Sequence, residues 1–168
     1  MNNHSTHLIT GRSARAQIAQ AIANAQKTIR LLAYAISPAP ILDSTLQQSI
    51  FATLCAAPAR GIICSAVIAQ HPENSVHENN NTLAAIHLHD KGWQIHRYPC
   101  RPVMHAKLLI IDDHRIITGS HNMTTAALEH NRELSVITTQ PDCVADALDF
   151  YTTLQDASAP HGKNHRPT

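Results

Sequence analysis

Two apolar segments separated by a tight turn constrain the fold of this chain more than any other feature. Residues 106–111 and 115–118 predict strands, and Asp113-His114 predicts the turn that joins them. From residue 105 to residue 122 this hairpin carries the pattern H-x-K-x4-D-x6-G-S-x-N. Six fixed identities, each drawn at about one in twenty, rarely fall into register by accident. We therefore expect a strand–turn–strand unit that carries a polar site.

His105, Lys107, Ser120 and Asn122 are the candidate catalytic residues of this polar site. A neutral imidazole such as that of His105 can act as a nucleophile and divide one difficult step into two through a covalent intermediate. Lys107 lies two residues further along the strand, so its ammonium emerges on the same face and can neutralise charge that develops in the transition state. Ser120 and Asn122 offer hydrogen-bond donors to the substrate oxygens on which this charge develops. Gly119 lets the backbone approach closely, because it has no Cβ.

The pattern resembles the signature of the phospholipase D superfamily, whose members cleave phosphodiesters through a phosphohistidine. The resemblance implies that Asp112 has a supporting role and that Glu133 orients an active-site imidazole. Asp112 lies seven residues from His105, so it should point to the opposite face of the strand, and we do not expect it to be the general acid. A carboxylate that fixes the direction and tautomer of a histidine is also what the chemistry requires.

Superfamily enzymes usually carry two copies of the motif in one chain and pair one histidine as nucleophile with another as general acid. This sequence has one copy, since the segment His87–Lys91 has neither the spacing nor the Gly-Ser partner. The resemblance to small single-motif bacterial endonucleases implies a homodimer in which His105 of both protomers lies at the two-fold axis. Two such imidazoles would titrate as a coupled pair and produce a bell-shaped pH profile.

Helical and strand patterns alternate along the chain. Ser13 is a candidate cap for a first helix, whose apolar residues follow the helical period from residue 18 to residue 25. Residues 71–81, with four asparagines, predict a polar surface loop. The other predicted elements are helices at 41–57, 82–91, 124–130 and 141–155, and strands at 28–36, 62–69, 93–98 and 132–138.

This alternation predicts the α/β fold class, with a mixed β-sheet flanked by helices on both faces. The superfamily fold has the same order of elements, so the resemblance supports the prediction. With 168 residues the chain is long enough to bury a core without disulfides. We expect one catalytic domain at residues 13–155, an N-terminal tail at 1–12 and a disordered C-terminal tail at 156–168.

The charge of the chain is small for a nucleic-acid enzyme, at +1 near pH 7, where a basic surface is the rule. Local charge is better placed, because basic residues precede the motif or lie in it: His96, Arg97, Arg101, His105 and Lys107. Arg101 is the best candidate for binding a phosphate that flanks the scissile one. We expect modest, salt-sensitive binding of nucleic acid, with DNA preferred to RNA.

Several other classes of protein are disfavoured. No apolar run has the length that a bilayer requires, and the first residues lack a secretory pattern, so we expect a cytoplasmic protein. A trimmed start would leave a periplasmic or secreted location open. The terminal histidines have no carboxylate or cysteine beside them, and neither a metal nor another cofactor is expected. The cysteines are expected to be buried free thiols: Cys55, Cys64, Cys100 and Cys143.

Some aromatic and histidine side chains allow two interpretations. Trp93 and Tyr98 could stack on a base, but packing against a helix is the stronger expectation for aromatic residues on an interior strand. Tyr34, at the end of the first apolar strand, has the same two interpretations. His121 could touch the substrate, turn into the core or face the partner protomer.

The sequence thus predicts a metal-independent phosphodiesterase, most simply a homodimeric endonuclease that cleaves DNA or RNA. One alternative is a phospholipase or phosphatidyl transferase, disfavoured because such relatives are usually longer and carry two motifs, and because no amphipathic membrane face is evident. A second alternative is an inactive dimer that binds phosphate or nucleic acid without cleaving it. The sequence does not distinguish single-stranded from double-stranded substrates.

Overall fold

One mixed sheet lies at the centre of the computed structural model, which describes residues 4–38 and 50–161 and, within them, all side chains but that of Arg12. Its eight strands within these residues are β1 (Thr6–Thr10), β2 (Thr28–Ala33), β3 (Ile63–Ala69), β4 (Gln94–Tyr98), β5 (Lys107–Ile111), β6 (Arg115–Gly119), β7 (Leu134–Thr138) and β8 (Ala159–Pro160). Their order is β1-β7-β6-β5-β2-β3-β4-β8. The β2–β3 and β3–β4 pairs are parallel, and the other pairs are antiparallel.

Helices cover both faces of this sheet. The helices are α1 (Gly11–Ala23), α2 (Ile50–Ala56), α3 (Val76–Asp90) and α4 (Pro141–Asp156), with a short 3-10 helix at Pro58–Arg60 and a π-helical turn at Ala126–His130. Side chains of α1, α2 and α3 share one apolar core with the sheet, and side chains of α4 share a second core on the opposite face. This arrangement confirms the predicted fold class.

Strand β5 is buried on both faces, which explains its unbroken apolar sequence. Leu109 and Ile111 belong to the core formed with α1, α2 and α3, whereas Leu108 and Ile110 belong to the core formed with α4. Because side chains alternate along a strand, Lys107 lies on the same side as Leu109. The motif is therefore held by the most buried strand of the sheet.

The N-terminal part of the chain differs from the expectation. Helix α1 begins at Gly11 with Thr10 as its N-cap, and the Ser13 hydroxyl donates to the Thr10 carbonyl at 2.7 Å, so the prediction of a Ser13 cap is wrong. Strand β1 pairs with β7 inside the segment that the sequence analysis placed in a tail. Only Ile9 of this strand is buried. The other residues of β1 give no apolar pattern from which a strand could be predicted, and backbone pairing holds the strand in place.

The predicted polar loop at residues 71–81 is wrong in its second half, which forms the first turns of α3. The Ser75 hydroxyl accepts a hydrogen bond from the Glu78 backbone N–H at 3.1 Å, as the pattern Ser-x-x-Glu favours at a helix start. Asparagines disfavour a helix in isolation, but this cap and the burial of Asn81 override that preference. Of the predicted helix at 41–57, residues 50–56 form α2, and residues 41–49 lie outside the described residues.

At the other end, α4 runs to Asp156 and β8 pairs with β4, so ordered structure continues past the expected boundary at residue 155. Residues 162–168 of the expected C-terminal tail lie outside the described residues. The cysteines are free, as predicted, but Cys143 is exposed and Cys55 and Cys100 are half-buried, so only Cys64 has the predicted burial. Among the described helices, none has the length and apolar character needed to span a membrane.

Candidate active site

The ends of several strands meet at one edge of the sheet and bring the motif together. His105 precedes β5, Ser120 follows β6, and Glu133 precedes β7. Antiparallel pairing of β5 with β6 and of β6 with β7 puts these three ends side by side. The Lys107 carbonyl accepts a hydrogen bond from the Thr118 hydroxyl at 2.9 Å, which further ties β5 to β6 at this edge. The hairpin topology therefore assembles residues that are up to 28 positions apart.

His105 and Lys107 form the centre of the site. The His105 side chain is exposed, whereas Lys107 is buried, with 8% of its surface accessible. Lys107 Nζ lies 3.0 Å from His105 Nδ1 and 3.1 Å from Nε2, and it donates to the His105 carbonyl at 2.8 Å. A neutral imidazole accepts from the ammonium at whichever nitrogen carries no proton. The pair thus holds a cation directly beside an exposed imidazole, the candidate nucleophile.

The electrostatics of this pair favour a neutral imidazole. Desolvation and then the Lys107 ammonium lower the pKa of His105. Desolvation also lowers the pKa of Lys107, and the Glu133 carboxylate opposes that shift. A histidine with a lowered pKa keeps its lone pair at neutral pH, as nucleophilic attack requires.

Ser120 and Glu133 form a second pair, next to the first. The Ser120 hydroxyl donates a short hydrogen bond to Glu133 Oε2, and Asn131 Nδ2 donates to Oε1 at 3.0 Å. Desolvation would raise the pKa of Glu133, but these hydrogen bonds and the nearby charges of His121 and Lys107 lower it overall. The carboxylate is therefore ionised, and its partners in this chain are Ser120 and Asn131. That Glu133 orients a catalytic imidazole stays a prediction.

Asp112 lies at the opposite end of β5 from His105, away from these pairs. One carboxylate oxygen accepts from the backbone N–H groups of Lys27 at 2.7 Å and Thr28 at 3.0 Å, and both oxygens accept from Gln26. These hydrogen bonds outweigh desolvation and lower the pKa of Asp112. The carboxylate ties the turn after β5 to the start of β2.

The segment from Gly119 to Asn122 is shaped by its packing on β7. A Cβ on Gly119 would lie 2.4 Å from the Leu134 carbonyl oxygen, so packing against β7 requires glycine at this position. The sequence analysis had explained Gly119 only by the close approach of the backbone. His121 is buried in the protomer, with its Nδ1 2.7 Å from the Ser135 hydroxyl. Asn122 is half-buried, and its Oδ1 has no hydrogen-bond partner among the described residues.

The structure also shows the surroundings of the basic and aromatic residues that the sequence analysis named outside the motif. Arg101 is exposed in the β4–β5 loop, as a phosphate-binding residue would be. Arg97 is not available for that task, because it is buried and forms an ion pair of 2.7 Å with Glu78. Trp93 and Tyr98 are buried, and Trp93 Nε1 donates to the Leu54 carbonyl at 3.0 Å, which confirms packing as their role. In the part of the chain that the structure describes, no group of His, Cys, Asp or Glu side chains is arranged to hold a metal ion.

The sequence analysis left the role of Tyr34 open and did not place Tyr34 or Asn81 near His105. The Tyr34 ring centroid lies 4.3 Å from that of His105, and Lys107 Nζ lies 4.8 Å from the Tyr34 centroid. Asn81 donates to the Tyr34 carbonyl at 2.8 Å from the first half of α3. The only sequence signal for Tyr34 was its position at the end of a predicted buried strand. Asn81 was assigned to a surface loop because it lies in a run of asparagines.

Comparison with known proteins supports the predicted class, that of hydrolases that act on phosphodiester bonds. A family model described as "Cardiolipin synthase, PLD-like domain" matches residues 18–153. The match covers most of the chain, so the chain belongs to this family of phospholipase D-like proteins.

Individual relatives agree with this assignment. Nuc from Salmonella typhimurium, a phospholipase D family member, has a similar structure with a TM-score of 0.78 and 25% identity, over 94% of this chain and 99% of that one. NucT from Helicobacter pylori has the same fold, with a TM-score of 0.75 and 16% identity over 94% and 99%. A mitochondrial cardiolipin hydrolase from Danio rerio is 35% identical over 57 residues, which are 34% of this chain and only 25% of that relative.

Proposed function

We propose that this protein is a metal-independent phosphodiesterase, and specifically an endonuclease that cleaves DNA through a covalent phosphohistidine. The observation that carries the proposal is the exposed His105 imidazole with the Lys107 ammonium 3.0 Å from its Nδ1. The pair supplies a nucleophile and a charge that neutralises the phosphate in the same place. The proposed reaction has two steps.

In the first step a ring nitrogen of neutral His105 attacks phosphorus. The N–P bond forms as the P–O bond to the leaving alkoxide breaks, and a general acid donates the proton that the alkoxide takes up. Lys107 lies against the non-bridging oxygens, with Ser120 and Asn122 as further donors to them. In the second step water attacks phosphorus and the N–P bond breaks, while the histidine that acted as general acid, now neutral, takes up the proton that the water loses. His105 is released with a phosphate monoester as the other product.

The general acid in this proposal is His105 of a second protomer in its protonated form, because the two imidazoles would share one proton as a coupled pair. One copy of the motif supplies one nucleophile, so a two-fold axis beside His105 would supply the acid. The surface around the site supports such a contact, because Val103 and Leu134 are large apolar side chains with 65% and 49% of their surface exposed. Sedimentation of the active protein at the mass of one chain would contradict the shared site.

DNA as the substrate is supported by three features of the chain. The motif resembles that of small single-motif endonucleases, and the fold matches Nuc over nearly the full length of both chains. Arg101 is exposed four residues before His105, where it could bind a flanking phosphate. Binding through so few cations would weaken as salt is added.

The test is cleavage of supercoiled plasmid by purified protein in excess EDTA, with His105→Asn protein alongside. We expect the wild type to nick the plasmid and the variant to leave it intact. Equal nicking by both proteins would rule out His105 as nucleophile. Salt-sensitive plasmid binding without product at any pH would indicate the inactive binding dimer.

A lipid phosphodiester is the second candidate substrate. The matching family model is described as a cardiolipin synthase domain, and the Danio rerio relative is a cardiolipin hydrolase. Phosphatidic acid released from cardiolipin vesicles by wild type, but not by His105→Asn protein, together with intact plasmid, would favour this candidate. The mechanism at His105 would be the same.

A further inference from the structure

An aromatic surface continues from His105 toward the β3–α3 connection, and none of the proposed chemical steps uses it. We call this surface the Tyr34 platform; it consists of Tyr34, His71 and His77. The Tyr34 ring centroid lies 4.7 Å from that of His71 and 5.9 Å from that of His77, and the two imidazoles are 5.3 Å apart. With His105 at 4.3 Å from Tyr34, the rings form one continuous cluster.

The buried side chain of Asn81 holds the backbone at Tyr34 in place through hydrogen bonds. Asn81 Nδ2 donates to the carbonyls of Tyr34 at 2.8 Å and Ala69 at 2.9 Å, and Asn81 Oδ1 accepts from the Ile36 N–H at 2.9 Å. This buried amide joins the end of β2 to the end of β3. His71 Nε2 lies 2.8 Å from the Tyr34 carbonyl. These hydrogen bonds fix the backbone that carries Tyr34 and the ring of His71, so both lose little further freedom when a ligand binds.

Packing does not account for this cluster. Tyr34 and His71 are half-buried, and His77 is exposed, so each of the three residues retains solvent-accessible surface. Trp93 and Tyr98 are buried in the core, whereas the platform is open beside the nucleophile. An accessible group of aromatic rings next to a phosphate site is the arrangement that proteins use to stack unpaired bases.

Charge selects between the possible ligands. Aromatic clusters also bind quaternary ammonium groups, but here the Lys107 ammonium already lies 4.8 Å from the Tyr34 centroid. A second cation at the ring would be repelled by Lys107. A neutral base attached to an anionic phosphate has no such conflict, because Lys107 binds the phosphate while the rings contact the base.

We propose that the Tyr34 platform binds an unpaired nucleobase next to the scissile phosphate, so that single-stranded nucleic acid is the preferred substrate. The inference rests on the proposed nuclease function and adds a base-binding subsite to it. Bases in a duplex are already stacked on their neighbours and would have to be unpaired to reach these rings. The subsite binds through ring faces and therefore carries little sequence preference.

The test compares two single-stranded substrates with the same number of phosphates. One is a 15-residue thymidine oligomer, and the other is a 15-residue oligomer of abasic deoxyribose. We expect wild-type protein to have a KM about 5 to 100 times higher for the abasic oligomer, since stacking contributes about 1–3 kcal/mol per base. His77→Ala and Tyr34→Leu should raise KM for the thymidine oligomer and bring the two substrates closer together.

Matched variants separate stacking from other effects. Tyr34→Phe keeps the ring and should keep the low KM for thymidine. His87→Ala removes an exposed histidine from the same helix, about 15 Å along its axis from His77, and should change neither KM. His77 is exposed, so its variant tests the platform even if Tyr34→Leu fails to fold.

Two outcomes would overturn the inference, and they differ from each other. If the wild type cleaves both oligomers with equal KM, or if His77→Ala and Tyr34→Leu raise both KM values by the same factor, the platform does not bind a base, although the nuclease function stands. If the wild type cleaves neither oligomer but hydrolyses cardiolipin vesicles, the nuclease function fails together with the inference.

Discussion

The two ends of strand β5 carry residues of one sequence motif but have opposite physical states. At the amino end, the His105 ring is exposed and its neighbour Lys107 is a buried cation. At the carboxyl end, Asp112 accepts hydrogen bonds from three consecutive backbone N–H groups. The amino end thus keeps reactive groups available, whereas the carboxyl end has its charge satisfied by the protein itself.

The pKa directions express the same difference. Desolvation prevails at Lys107 and lowers its pKa, which makes its charge more costly to keep and more responsive to an anion. At Asp112 the backbone hydrogen bonds prevail over desolvation and hold the carboxylate ionised. Residues of one sequence motif therefore divide into a candidate catalytic pair, His105 and Lys107, and a carboxylate that stabilises the fold, Asp112. Substitutions at each end should separate activity from stability.

The largest expected effect is that of His105→Asn on turnover. Removing the nucleophile should lower kcat by about 10⁴-fold or more, because no covalent intermediate can form. The free energy of unfolding should change by less than about 0.5 kcal/mol, since the side chain is exposed. Single-turnover cleavage and thermal denaturation measure the two quantities. If the variant retained a tenth of the wild-type kcat, His105 would not be the nucleophile.

Lys107→Met should lower kcat by about 10²- to 10³-fold, which is the range for loss of one group that stabilises transition-state charge. Methionine preserves most of the length of the side chain, so packing next to Leu109 is kept. Lys91→Met, at an exposed position after α3, serves as the control and should leave kcat unchanged. An effect confined to KM would show that Lys107 contributes only to binding.

Asp112→Ala should act mainly on stability. Loss of a charged acceptor for three backbone N–H groups should lower the free energy of unfolding by about 3 kcal/mol. The melting temperature would fall by about 6 to 12 °C for a chain of this size. Asp146→Ala removes an exposed carboxylate from α4 and is the matched control. A melting temperature equal to that of the control would show that the tie contributes nothing.

The Asp112 contribution should also depend on pH. Its folded-state pKa lies below the ordinary value of 3.8, so the stabilisation is present above about pH 4 and is lost as pH falls through the folded-state pKa. Denaturant unfolding of wild type and Asp112→Ala protein at pH 7 and pH 2.5 measures this. The difference between the two proteins should be smaller at pH 2.5, and a difference that grew would contradict the argument.

The smallest expected effect concerns the pH profile of kcat/KM. The acidic limb should lie below pH 6.5, because desolvation and Lys107 lower the pKa of His105. In Lys107→Met protein the residual activity should show an acidic limb at higher pH, since one of the two causes is removed. An unchanged limb in that variant would mean that the limb reports another group.

Much of the fold, the family and the class of hydrolase could be predicted from the sequence. The hairpin of β5 and β6, the helices on both faces and the family followed from apolar period and motif spacing. Strand β1 could not, because its polar residues are held by backbone pairing with β7, more than 120 residues away. Helix α3 was shortened in the prediction because the hydrogen-bond partners of Asn81 lie directly after β2 and at the end of β3, far from Asn81 in the sequence.

What the sequence alone determined is the identity of the reactive groups and their strand. His105 and Lys107 are two residues apart, so local geometry puts them on one face wherever the strand goes. Only the tertiary structure decided what surrounds them: Tyr34 directly after β2, His71 in the β3–α3 connection, His77 on α3 and Glu133 before β7. Those contacts join residues far apart in the chain, and their formation depends on how strands pair and twist, which no short pattern encodes.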